Sequence, residues 1–96
     1  MRFLVVANIP TEIGNKMVKD PSFVQKLDKY LKSVNAEAAY FGPEKGDRTF
    51  FIVVDIPSPD MIPVIVEPLF QTFNAKVEFK PVMTLEEVKK GLQAGK

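Results

Sequence analysis

The chain opens on a run of apolar residues, Phe3-Leu4-Val5-Val6-Ala7, set between Arg2 and Asn8-Ile9. Apolar side chains at consecutive rather than alternate positions predict a strand that is dry on both faces. After Pro10, the segment Thr11–Lys19 has no clean period and carries Gly14-Asn15, which predicts a connecting loop longer than the usual strand-to-helix link. Asp20-Pro21 then reads as a helix start, a capping carboxylate followed by a proline in the first turn. Phe23, Leu27, Tyr30 or Leu31, and Val34 follow at helical spacing, with Lys26, Asp28, Lys29 and Lys32 opposite, and predict an amphipathic helix of about four turns.

Residues 36–41 and 48–56 are two extended runs, and Gly42-Pro43 and Gly46-Asp47 between them predict a hairpin turn. The second arm, from Arg48 to Ile56, is the densest aromatic and β-branched stretch in the chain. Ser58 as cap and Pro59 at the first helical position open a segment from Met61 to Phe73 in which Ile62, Ile65 or Val66, Leu69 and Phe73 form one stripe. Pro63 and Pro68 predict that this helix is kinked or starts late. Residues 74–82 alternate, with Ala75, Val77 and Phe79 against Lys76, Glu78 and Lys80, as in a strand with one wet or partner-facing side. Thr84 and Glu87 have capping-box spacing and start a short amphipathic helix with Leu85, Val88 and Leu92 on one side.

Strand, helix, strand, strand, helix, strand and a short terminal helix is the order of the ferredoxin-like βαββαβ fold, an α+β class with a four-stranded antiparallel sheet. The first and third strands take the centre and the second and fourth the edges. Two helices cover one face of such a sheet. If Phe3, Val5, Phe50 and Ile52 face them, then Leu4, Val6, Phe51 and Val53 form an apolar patch on the other. Removing that patch from water at about 25 cal/mol per Å² favours a two-fold dimer through the sheet faces.

Composition narrows the chemistry. Ninety-six residues, 46% hydrophobic and 26% charged, predict one folded domain over residues 1–96. Thirteen Lys and Arg balance twelve Asp and Glu, so the basic field of a nucleic-acid binder is missing, and nucleic acid is not an expected partner. The opening apolar run is too short to span a bilayer and has no signal-peptide cleavage pattern, so no membrane partner and a cytoplasmic location are expected. With no cysteine and no histidine, thiolate nucleophiles, Cys- or His-held metals and imidazole general bases are all excluded, and no cofactor is expected. No carboxylate pair has a spacing that suggests acid–base work, and residues 42–46 lack the length and the helix of a phosphate-binding loop.

The opening strand 2–9, the arm 48–56 leading straight into Ser58-Pro59-Asp60, and the tail from Val77 through Pro81-Val82-Met83-Thr84 to Glu87 together resemble the dimeric α/β-barrel superfamily, in particular its short stand-alone members. The likeness covers nearly the whole chain, and its motifs are architectural. It implies a homodimer forming an α/β barrel, with a small ligand between sheet and helices. The superfamily's known roles include cofactor-free monooxygenases, haem-degrading enzymes, muconolactone isomerases, chlorite dismutases and effector-sensing domains of transcription regulators. Several of these rely on His or Trp, which this chain lacks, so no haem site or His-Asp pair carries over to any position.

The residues themselves suggest a greasy space between the layers. Phe23, Leu27, Phe50, Ile65, Leu69 and Phe73 are its expected walls, and Ile13 and Met17 point inward from the 11–19 segment. Tyr40 and Arg48 are the candidate polar anchors, Arg48 for a carboxylate. Asn8 and Asp55 share the other face and could form a polar pair. The expected function is a homodimer that holds an apolar or amphipathic metabolite, fatty-acid-like or aromatic. The alternatives are a cofactor-independent monooxygenase or isomerase using Tyr40, Asn8 and Asp55, and an interaction module with a solid core and no ligand.

Overall fold

The structure is a computed structural model that describes residues 1–95. Its elements are β1 (Arg2–Asn8), α1 (Thr11–Lys19), α2 (Phe23–Ser33), β2 (Ala38–Glu44), β3 (Asp47–Asp55), α3 (Met61–Phe73), β4 (Lys76–Pro81) and α4 (Leu85–Ala94). The strands form one antiparallel sheet in the order β2-β3-β1-β4, so the two most apolar strands are central and the alternating strand lies at an edge, as their patterns require. The fold is α+β with a four-stranded antiparallel sheet.

Pleating divides these strands between two environments. Val5 and Ala7 of β1 and Ile52 and Val54 of β3 are fully buried beneath the helices, with Ile65 and Leu69 of α3 against them. Phe3, Val77 and Phe79 pack around this core. Leu4, Phe51 and Val53 occupy the other face and are only half-buried, while Val6 between them is buried by its neighbours.

Four local expectations are corrected. The 11–19 segment is a helix and not a loop. Ile13 and Met17 stand one turn apart and pack on the core, and Gly14 is buried where the Arg48 side chain crosses the helix. A Cβ at Gly14 would lie 2.8 Å from the Arg48 Nη1, so this glycine serves close packing rather than a turn. Asp20 and Pro21 do not begin α2; Asp20 Oδ1 accepts from the Ser22 amide and hydroxyl at 2.9 and 2.8 Å, and the eleven-residue helix starts at Phe23, about three turns rather than four. In the hairpin, Gly42 and Pro43 are part of β2, whose edge position tolerates the missing proline donor. Lys45 and Gly46, with φ of 53° and 81°, make the two-residue turn. Finally, α3 spans the expected Met61–Phe73 and starts late, but its cap position is Asp60 rather than Ser58, which places Pro63 in the first turn where no amide donor is needed. Pro68 lies inside it and leaves the Val64 carbonyl without its usual amide, and one residue on, the Ile65 carbonyl accepts the Tyr30 hydroxyl at 2.7 Å. Burial of that hydroxyl pushes its pKa up.

The Thr84–Glu87 capping box forms as its spacing predicts, with the Thr84 amide donating to Glu87 Oε1 at 3.0 Å and the Glu87 amide donating to Thr84 Oγ1 at 3.2 Å. The helix it starts buries none of its residues, and Leu85 and Leu92 are both more than two-thirds exposed. The molecule is correspondingly long, 54 Å by 27 Å by 18 Å. Among the described residues, no helix is long and apolar enough to cross a membrane.

Candidate functional site

The helix layer does not cover the sheet evenly. Under α3 the inner face is solid, with Ile65 and Leu69 fully buried. Toward the hairpin, α1 and α2 diverge from β2 and β3 and leave a cavity of about 550 Å³. Met17 and Val18 of α1, Phe23, Val24 and Leu27 of α2, Phe41 and Pro43 of β2, and Arg48 and Phe50 of β3 line it. Its volume is within the range of small-molecule sites, which are mostly apolar with few polar groups.

The aromatic residues at its base form a continuous chain of edge-on contacts. Phe41 meets Phe50 at 5.3 Å between ring centroids, Phe50 meets Phe73 at 5.5 Å, and Phe73 meets Phe23 at 6.4 Å, with interplanar angles from 78° to 85°. Such tilted pairs hold one another's rotamers and make a firm wall. A second cavity, about 280 Å³, lies on the far side of Met17 and Phe23 and reaches Ile13, Phe73 and the charged groups Lys16, Asp20 and Lys26. Met17 and Phe23 thus partition two adjoining spaces.

Arg48 is the charged side chain on the larger cavity. Its Nη1 donates to Asn15 Oδ1 at 3.1 Å, and its stem crosses α1 at Gly14. Asp47, next in the chain, accepts from the Thr11 hydroxyl at 2.5 Å, while Glu37 lies at the far end of the hairpin beside Val53 and accepts from Arg2 Nε and Nη2 at 3.0 and 3.1 Å. Among the described residues, no carboxylate lies within ion-pair distance of the Arg48 guanidinium.

Of the residues expected to form the site, Met17, Phe23, Leu27, Arg48 and Phe50 come together in this cavity. Phe73 supports it from behind and lines the second space. Ile65 and Leu69 belong to the filled core under α3 and reach neither cavity. Tyr40 is on the opposite face of the sheet, paired with Phe51 and 67% exposed, so it cannot serve the same ligand as Arg48. Phe41, its neighbour, takes the inward place. The signal was present in the hairpin: a two-residue turn at Lys45-Gly46 sets Phe41 opposite Phe50, whereas a turn at Gly42-Pro43 does not.

Asn8 and Asp55 do not form a pair. They occupy opposite ends of the open face, six register steps apart, or about 20 Å. The Asn8 amide donates to the Glu44 carbonyl and Thr49 Oγ1, both at 3.1 Å. Asp55 accepts from the Met1 amino group at 2.9 Å, a contact that holds its carboxyl below the ordinary range. Comparison with known proteins adds no assignment: no family model, curated protein or solved structure matches the chain.

Proposed function

We propose that this chain is a homodimeric small-molecule-binding protein of the dimeric α/β-barrel kind, which holds an apolar or amphipathic metabolite between α1, α2 and the β2–β3 hairpin. The observation that carries the reading is the 550 Å³ cavity with aliphatic and aromatic walls and one guanidinium. A groove of that size, walled by Met17, Phe23, Leu27 and Phe50 and open to solvent beside Val18, Val24 and Phe41, leaves apolar surface that a ligand would cover. The dimer is supported by the open face, where Leu4, Phe51 and Val53 lie together only half-buried, and by α4, whose Leu85 and Leu92 stay exposed in the single chain. Binding is favoured over turnover because Asn8, Tyr40 and Asp55, the polar residues suited to a cofactor-free reaction, all stand on the face away from the cavity.

Calorimetric titration of the purified chain with neutral and anionic ten-carbon amphiphiles tests the cavity. Saturable binding at one site per chain is expected, abolished by Leu27→Trp, which fills the space. No saturation with either probe sinks the ligand reading. Light scattering after size-exclusion chromatography at micromolar concentration tests the dimer: twice the 10.8 kDa chain mass is expected, and a stable monomer overturns it.

A further inference from the structure

We infer that the ligand is an amphiphile with a single carboxylate head, seated with that head on Arg48 and its chain on the Phe41–Phe50 wall. This rests on the ligand-binding reading above and specifies the ligand's charge and direction. A guanidinium offers five N–H donors, and among the described residues only Nη1 is engaged, with Asn15 Oδ1. That bond and the passage of the stem across Gly14 seat the exposed side chain at the cavity's edge. A planar fork at that edge is suited to two-point recognition of a carboxylate.

The surroundings leave that role to Arg48. The other lining side chains are apolar except Thr49, whose hydroxyl lies on the open face, accepting from Asn8 and donating to the Asp47 carbonyl at 3.0 Å. A ligand polar along its length would therefore lose hydrogen bonds to water inside the cavity without replacing them. An apolar chain with one anionic end loses none, because the charge stays at the rim. The smaller cavity is less suited to the head: of the two lysines at its mouth, Lys26 already pairs with Asp20 at 3.3 Å, and that carboxylate would repel an anion.

The test compares decanoate with 1-decanol, equal in chain length and different in charge, by calorimetry on the full chain at neutral pH and low salt. Decanoate is expected to bind at least roughly tenfold more tightly, the scale of one charge-assisted contact. Arg48→Gln should bring decanoate down to the affinity of decanol, and Arg48→Lys should retain part of the preference. Lys76→Gln, which removes a positive charge from the opposite face, should leave decanoate binding unchanged. Thermal melts of both Arg48 variants establish that they fold. Equal affinity of the two probes for the parent chain, or undiminished decanoate binding by a folded Arg48→Gln, overturns the inference while the cavity reading stands. If neither probe binds, both fall.

Discussion

The two faces of the β1–β3 pair are built from alternate residues of the same two strands, yet they end in different states. On the inner face Val5, Ala7, Ile52 and Val54 are sealed by helices; on the outer face Leu4, Phe51 and Val53 stay half-buried among the described residues. The inner face is itself divided, solid under α3 and hollow beside α1 and α2. Apolar character alone does not tell a core from a surface reserved for something else. What separates them is whether a second element supplies side chains of the right length at the right place.

The sharpest way to break the distinction between solid and hollow is truncation on each side of it. Leu69→Ala removes a fully buried side chain from the filled region and should cost about 3 kcal/mol or more in denaturant unfolding, because the packed surroundings cannot collapse into the gap. Leu27→Ala enlarges a space already empty, so fewer neighbours lose contacts, and about half that loss is expected. Equal losses would mean that α2 packs onto the sheet in solution and that the cavity is closed.

A somewhat smaller effect separates inner from outer face. Phe51→Ser should leave the fold intact, since the ring is half-exposed in the single chain, but should weaken association. With about 1 kcal/mol lost from each protomer's half-exposed ring, about 2 kcal/mol over the dimer, the dissociation constant should rise roughly thirtyfold. Sedimentation at several concentrations reads this directly. A variant that unfolds instead would place Phe51 in the monomer's own core.

Gly14→Ala makes a finer distinction still. In a helix interior alanine is favoured by about 1 kcal/mol, and the obstacle is the end of a flexible side chain, which can move away. Stability should change by less than about 1 kcal/mol in the stabilising direction, while the preference for decanoate falls because the guanidinium is displaced. A substantial loss of stability would show Arg48 to be a packing element first.

How much of this the chain's pattern foretold follows the same division. Strand order, the inward set of β1 and β3 and the capping box were legible because each rests on short-range spacing. The 11–19 helix was not, because Gly14-Asn15 has the local chemistry of a break, and only the crossing Arg48 side chain, distant in sequence, explains the glycine. Five of the nine proposed site residues line the larger cavity, since inward parity places them there. Ile65 and Leu69 share that inward direction but meet a filled layer, a matter of how far α3 stands from the sheet, which no periodicity encodes. Tyr40 was misplaced through the turn, one residue of register being enough to exchange it with Phe41.

The smallest expected effect is confined to α4, the element least tied to either face. Its first turn is held by Thr84 and Glu87, with Arg2 of the open face 3.6 Å from the Glu87 carboxylate. The Thr84 amide, and secondarily the threonine side chain, keep the Glu87 carboxyl below its ordinary value of 4.5. A carboxyl whose folded-state pKa is depressed contributes stability above the unfolded value and loses it as pH falls through the lower, folded one. Acid should therefore fray α4 only below about pH 4.5, and the fully buried strands β1 and β3 should not respond over the same interval. Amide shifts of Thr84 and Glu87 followed by NMR should show one inflection below that value in the parent. In Thr84→Ala the inflection should move up toward 4.5, and the helix should lose about 1 kcal/mol of local stability. An inflection already at 4.5 in the parent would mean the box is open in solution, and α4 would then need a second chain even to form.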